Sequence, residues 1–150
     1  MIITDIDVLT DMWSKDSVID TTELTKELAK IPTLHAKYLK ILSNHNLIIK
    51  KLNLNHTKLK RIKWEYYNGD LNNPEDLKTY NLQPMTKKII RQDISIYLES
   101  DPELVQILAK KMINQEIVDI CTAIMKELTN RTYQIGNMIK WNQFINNVGQ

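Results

Sequence analysis

Apolar residues recur every three or four positions over most of this chain, which is the spacing that one face of an α-helix requires. The pattern is most regular between residues 20 and 67, where three columns repeat every seven residues. They are Leu24, Ile31, Tyr38, His45, Leu52, Leu59 and Tyr66; then Leu34, Ile41, Ile48, Asn55 and Ile62; then Leu28, His35, Leu42, Ile49, His56 and Lys63. Repeats sustained over this length are typical of helices packed side by side. We therefore predict a long N-terminal helical arm.

Start and break signals subdivide this arm, which we place at residues 4–67. Residues 4–14 form a shorter amphipathic pattern with Thr4 at its start as the cap candidate, which predicts a brief helix. Residues 20–22 supply cap candidates for the long helix that follows. Pro32 predicts a kink or a restart, because a proline inside a helix loses a hydrogen bond. The polar run at residues 43–46 is a second candidate break. The sequence leaves open whether this segment is one bent helix or two.

A connector follows at residues 68–84, because Gly69 is able to close a helix end and the segment then holds two prolines and little periodicity. The apolar patch from Ile89 to Leu98 fits a helix better than a strand. Ser100 and Glu103 have the spacing of a capping box, with Pro102 in the first turn. They predict a second helical arm within residues 85–147, with a weak point at residues 130–136.

These elements predict an all-α fold, in which long amphipathic helices form a helical hairpin or bundle in a single domain of residues 1–150. Three glycines and four prolines are too few for the turns of an all-β fold. Apolar columns that the subunit itself does not cover would pack on neighbouring subunits. The one cysteine, Cys121, excludes an intrachain disulfide, and its isoleucine neighbours predict a buried thiol.

No apolar run reaches the roughly 18 residues that a membrane-spanning helix requires. The N-terminal segment carries Asp5, Asp7 and Asp11 and not the basic start of an export signal. We therefore expect a soluble, non-exported protein without a membrane partner.

Cations and aromatic rings alternate in residues 58–69, at the end of the N-terminal arm. Residues 50–67 hold six cations against one acid, whereas the whole chain has a net charge of only +2. Single-stranded nucleic acid is held by cations on its phosphates and by aromatic rings under its bases. We assign Lys58, Lys60, Arg61 and Lys63 to phosphate contact and Trp64 and Tyr67 to base stacking. Tyr66 belongs to a heptad column, which favours a place in the core. A purely structural reading is also open, in which the cations complement the helix dipole.

Catalytic and metal-binding patterns are missing from the sequence. There is no glycine-rich phosphate loop. The histidines His35, His45 and His56 are about three helical turns apart, which is too far for one monomer to hold a shared metal ion. We expect them to be packed or interfacial. The acids show no paired catalytic spacing, so we predict a binding or assembly protein with no cofactor and no enzymatic activity.

The segment from Arg61 to Gly69, with Tyr66-Tyr67-x-Gly69 at its end, resembles the UvsY family of recombination mediators from T4-type phages. The resemblance extends without gaps over residues 20–69 and again over residues 101–149. It implies a helical, ring-forming homo-oligomer, a hexamer or heptamer, that binds single-stranded DNA in the host cytoplasm. It further implies a role in recombination, repair and replication, in which the protein loads a phage recombinase onto DNA coated by phage single-strand-binding protein.

The family's two DNA-binding motif cations fall on Arg61 and Lys63 here, in exchanged order. The basic residue that follows the family's motif glycine is replaced by Asp70, which argues against extending the DNA site past Gly69. Two other functions stay open from the residues alone. One is a coiled-coil scaffold or adaptor that binds only protein, and the other is a regulatory binder of single-stranded RNA.

Overall fold

All regular structure in the described part of the chain is helical. The computed structural model describes residues 2–149. In chain order it contains α1 (Ile6–Asp16), α2 (Leu24–Asn68), α3 (Pro74–Thr79), a 3₁₀ turn (Arg91–Asp93), α4 (Ile94–Glu99) and α5 (Pro102–Val148). The predicted all-α class is confirmed. None of the described helices combines the length and the apolar character needed to cross a membrane.

The two long helices run without interruption through every predicted break. α2 continues through Pro32 and through the polar run at residues 43–46, so it is one helix without a restart. α5 likewise continues through residues 130–136, and the weak point expected there is wrong. Tertiary packing of an apolar face outweighs the modest propensity cost of single unfavourable residues in helices of 45 and 47 residues.

Two of the predicted helix caps are also wrong by one residue. The side chain of Asp5, and not that of Thr4, caps α1 by accepting a hydrogen bond from the Asp7 amide. Asp101, and not Ser100, caps α5 by accepting from the amides of Glu103 and Leu104. The Ser100 hydroxyl instead donates to the Ile96 carbonyl at the end of α4. A carboxylate at the cap position outcompetes the neighbouring hydroxyl because it is the stronger acceptor.

The chain divides into two compact units. Unit 1 comprises the described residues up to Leu47 and from Ile113 onward, and unit 2 comprises Ile48–Met112. The core of unit 1 joins α1 to parts of α2 and α5. Its buried members are Ile3, Leu9, Tyr38, Ile41, Ile117, Cys121, Ile124 and Leu128. The division into two arms and a connector stays a prediction.

The buried side-chain polar groups described in unit 1 all have hydrogen-bond partners. Arg131 donates to the carbonyls of Asp16 and Ser17, which satisfies acceptors at the end of α1. The ring of His45 is fully buried, with Nε2 accepting from the Ile3 amide and Nδ1 lying 2.7 Å from Asn114 Oδ1. His45 is therefore a packed histidine, as predicted. Cys121 is buried too, and burial raises the pKa of its thiol to about 11.

Unit 2 contains the rest of α2, the connector and the start of α5. Its core is formed by Ile94, Leu98 and Leu104, against which Leu59, Tyr67 and Ile89 pack. The predicted connector holds only the six-residue α3. Its later part returns to the end of α2, where Tyr66 Oη donates to the Gln83 carbonyl at 2.6 Å.

Candidate nucleic-acid interface

A shallow groove in unit 2 brings together three of the six residues that the sequence assigned to the site. His56, Thr57, Lys60, Arg61 and Trp64 of α2 line it, together with Leu98 of α4. The α2 residues share one helix face because they are spaced three or four positions apart. Leu98 reaches the groove because α4 packs beside α2 in the core of this unit. The groove therefore presents cations on one helix next to an aromatic ring.

The cations of the groove face solvent with their charge available. The Arg61 side chain is 77% exposed and reaches Glu65 only at 4.0 Å, which is too long and too exposed to neutralise it. Lys60 lines the groove and Lys58 does not, but both are exposed and form no ion pair within the described part of the chain. Trp64 is 39% exposed, so one part of its indole is packed and another part is accessible. This combination suits a phosphate backbone beside an unstacked base.

Lys63 is placed differently from the expectation. It is only 5% exposed, and its ammonium lies 3.1 Å from Asp101 Oδ2 and 3.2 Å from Glu103 Oε1. The structure thus places inside the unit a residue that we assigned to phosphate contact. The physical reason is the capping carboxylate of α5, which needs a cation because it is buried.

Tyr67 belongs to the same buried network. Its hydroxyl donates to Asp101 Oδ2 at 2.7 Å, and its ring packs against those of Tyr66 and Tyr97 at centroid distances of 5.2 and 5.6 Å. Burial and the bond to Asp101 raise the pKa of the Tyr67 hydroxyl well above its usual range. A ring held between two others is a poor platform for a base, so the geometry disfavours the assignment of Tyr67 to stacking.

Asp101 stays ionised at the centre of this network. Burial pushes the pKa of its carboxyl upward, but hydrogen bonds from Tyr67, from the Leu104 amide and from Lys63 together hold the pKa below its usual value. One carboxylate therefore caps α5, orients Tyr67 and fixes Lys63. The network joins the last turns of α2 to the first turn of α5.

Sequence reasoning missed His56, Thr57 and Leu98 as groove residues. Helical spacing from Lys60 and Arg61 was a usable signal for His56 and Thr57, which lie one turn earlier on the same face. No signal in the sequence could have found Leu98, because its place depends on how the connector returns α4 to α2.

An all-α chain with exposed cations around a half-exposed tryptophan has the features of a helical nucleic-acid-binding protein. Residues 12–148 match the family described as "Recombination, repair and ssDNA binding protein UvsY", so the chain belongs to that family. It is accordingly a recombination and repair protein that binds single-stranded DNA, and it is not an enzyme.

The fold is similar to crystal structures of the recombination mediator protein UvsY of bacteriophage T4. In one lattice the TM-score is 0.82 at 17% identity, with 95% of this chain and 98% of that chain covered. Two further lattices give 0.79 at 17% identity, covering 91% and 97%, and 0.82 at 16% identity, covering 94% and 99%. Identities this low show a common fold alone. No curated protein sequence matches the chain significantly.

Proposed function

We propose that this chain is a recombination mediator that grips single-stranded DNA in the groove of α2. Lys58, Lys60 and Arg61 contact phosphates, and Trp64 stacks on a base. Lys63 and Tyr67 support the site indirectly, because they hold α2 against the start of α5 through Asp101. The observation that carries this proposal is the groove itself, because it gathers two exposed cations and a half-exposed indole within a family of single-stranded-DNA-binding proteins.

The mediator is a homo-oligomer, a ring of six or seven subunits. Several large apolar side chains on the last part of α5 are exposed in the single chain: Tyr133, Trp141, Phe144, Ile145 and Val148. A monomer in water rarely leaves such a set uncovered, which supports burial against another copy. A strand that engages several grooves binds tightly although each site is weak, because each contact raises the effective concentration for the next.

The strand held in this way releases the phage single-strand-binding protein that coats it and then binds a phage recombinase, in recombination, repair and replication. No chemical step by this chain is required, since repeated weak contacts are enough to change the path of the strand. A coiled-coil scaffold without nucleic-acid binding is the alternative. It does not account for the exposed Lys60 and Arg61 beside Trp64 in one groove.

The DNA site is tested by Lys60→Ala with Arg61→Ala, because both side chains are exposed and neither supports the fold. Binding of a labelled oligonucleotide is titrated with salt by fluorescence anisotropy. Loss of two phosphate contacts should reduce the slope of log affinity against log salt by about 1.4 for each groove that the strand engages. For a strand that fills one groove, affinity at roughly 0.1 M salt should therefore fall about 25-fold.

The matched control removes two exposed lysines of unit 1, with Lys40→Ala and Lys126→Ala. It changes the net charge equally and should leave the salt slope unchanged. Equal affinity of the groove variant and the control would refute the site. A wild-type protein that binds duplex and single-stranded DNA alike would refute the function.

A further inference from the structure

A second set of cations lies just after the connector, in a basic segment at residues 87–91 that is outside the groove. Lys87, Lys88 and Arg91 are exposed, and none of them forms an ion pair with another described residue. Two shallow depressions join these residues to the end of α2. Gly69, Lys87 and Lys88 line both depressions, and the second depression also contains Asn68 and Arg91.

Packing holds this basic segment in place. Tyr66 Oη bonds the Gln83 carbonyl at 2.6 Å just before the segment, and Ile89 packs within it against the core of unit 2. Leu77 of α3 is buried as well. The cations therefore project from an anchored backbone and not from a free loop.

The groove and the basic segment are continuous along α2. Thr57, Arg61, Trp64 and Asn68 follow each other at intervals of three or four residues, so they form one row on the helix. Asn68 ends the row where the second depression begins. Eight residues separate Arg61 from Gly69, which is about 12 Å of helix. A stacked strand spans that distance with three to four phosphates, at roughly 3.4 Å each.

We infer that Lys87, Lys88 and Arg91 continue the single-stranded-DNA site beyond the end of α2, so that one strand crosses the groove and then this segment. The inference rests on the proposed function. The sequence places Asp70, an anion, directly after Gly69. Lys87 and Lys88 line both depressions together with Gly69, so they place positive charge at the end of α2 in spite of Asp70.

Lysines near the end of α2 also suit its dipole, since the last turn of that helix holds no basic residue. This role alone does not explain Arg91, nor the row of α2 residues that leads from the groove to the segment. A DNA strand accounts for both observations.

The test uses the double variant Lys87→Ala/Lys88→Ala, the basic-segment variant. It is compared with the wild type, with the Lys60→Ala/Arg61→Ala groove variant and with the Lys40→Ala/Lys126→Ala control. Labelled oligothymidylates of about 4 and about 16 nucleotides are titrated with salt. The basic-segment variant should lose roughly 25-fold in affinity for the longer strand at about 0.1 M salt for each subunit that the strand engages, with the slope reduced by about 1.4 per subunit. Its affinity for the shorter strand, which fills only the groove, should change less than threefold.

The outcomes separate the inference from the function on which it rests. Weakened binding by the groove variant together with wild-type binding by the basic-segment variant would overturn the inference and leave the function standing. Loss of affinity for a labelled polyglutamate peptide, with DNA binding intact, would also overturn it and would assign the segment to an acidic protein partner. A wild-type protein without preference for single strands would remove both.

A second measurement does not depend on the stability of the alanine variant. Lys88→Cys introduces an exposed thiol, whereas Cys121 is fully buried. A photoreactive maleimide attached at position 88 should cross-link to the 16-nucleotide strand upon illumination, and the same reagent at Lys126→Cys should not. Equal yields at the two positions would contradict the inference.

Discussion

At the level of single residues, the structure disfavours two of the six roles that charge and ring chemistry suggested. Lys63 and Tyr67 form a buried network with Asp101, while Arg61 and Trp64 keep their expected place in solvent. Since Asp101 also caps α5, one side chain serves the fold in two ways. The groove can therefore be weakened without unfolding the protein, but the network cannot.

Asp101→Ala is expected to lower the free energy of unfolding by about 3 kcal/mol or more, because it removes a cap and leaves the buried Lys63 ammonium without its nearest carboxylate. Urea denaturation measures this change. Glu103→Gln is the control: Glu103 is 55% exposed, so its pair with Lys63 should contribute less than about 1 kcal/mol. Equal losses in the two variants would contradict the assigned network.

The network also makes stability depend on pH. Asp16 and Asp101 both have pKa values lowered in the folded state. For Asp16, hydrogen bonds from Lys37 and Tyr38 outweigh the opposing effect of burial. A lowered folded pKa adds stability above the unfolded value of about 3.9, and this stability is lost as the pH falls through the folded values. The urea midpoint should drop between pH 5 and pH 3, and Asp101→Asn should drop less. An identical drop would assign acid sensitivity to other groups.

At the level of elements, the helices were predictable and their ends were not. Seven-residue apolar columns predicted α2, because burial of an apolar stripe stabilises a long helix, and the start signal at Ser100, Pro102 and Glu103 predicted α5. The same columns contained Lys63, and this was a signal of burial that its charge concealed. Caps were misassigned because Ser100 and Asp101 are adjacent and only the fold decides between them. The groove depends on Leu98, whose position follows from the return of the connector and cannot be derived from local sequence.

Gly136 and Gly69 offer opposite tests of helix geometry. A Cβ built at Gly136, inside α5, meets nothing within 4 Å, so Gly136→Ala should stabilise the protein by about 0.5–1 kcal/mol. Gly69 has a φ of +86°, which L side chains rarely adopt, so Gly69→Ala should destabilise although the space is equally open. Thermal unfolding followed by circular dichroism measures both. A melting temperature that rises for both variants would mean that Gly69 is not held in this conformation.

At the level of the whole molecule, the end of α5 has an apolar surface with no partner in the single chain. Trp141 and Phe144 are 61% and 57% exposed, and their rings stack at 5.7 Å. Trp141→Glu with Phe144→Glu should therefore dissociate the proposed homo-oligomer, because charged side chains resist burial. Sedimentation velocity measures the loss of assembly, and far-UV circular dichroism checks that helicity is kept.

Asn142→Glu with Asn146→Glu adds the same charge at exposed polar positions of α5. This variant should sediment like the wild type. Loss of assembly in both variants would show that charge, and not the apolar rings, controls association. An unchanged sedimentation coefficient for the tryptophan and phenylalanine variant would place the subunit contact elsewhere.

The three tryptophans of the chain lie in three different settings, so its ultraviolet emission carries three separate signals. Trp13 packs edge-on to Tyr38 in the core of unit 1, with the Arg131 guanidinium over its ring. Trp64 lies in the groove, and Trp141 lies on the apolar end of α5. With two of the three replaced by phenylalanine, the remaining indole should report unfolding, strand capture or self-association in turn. Comparison of the three single-tryptophan proteins then gives the order of these events without any attached dye.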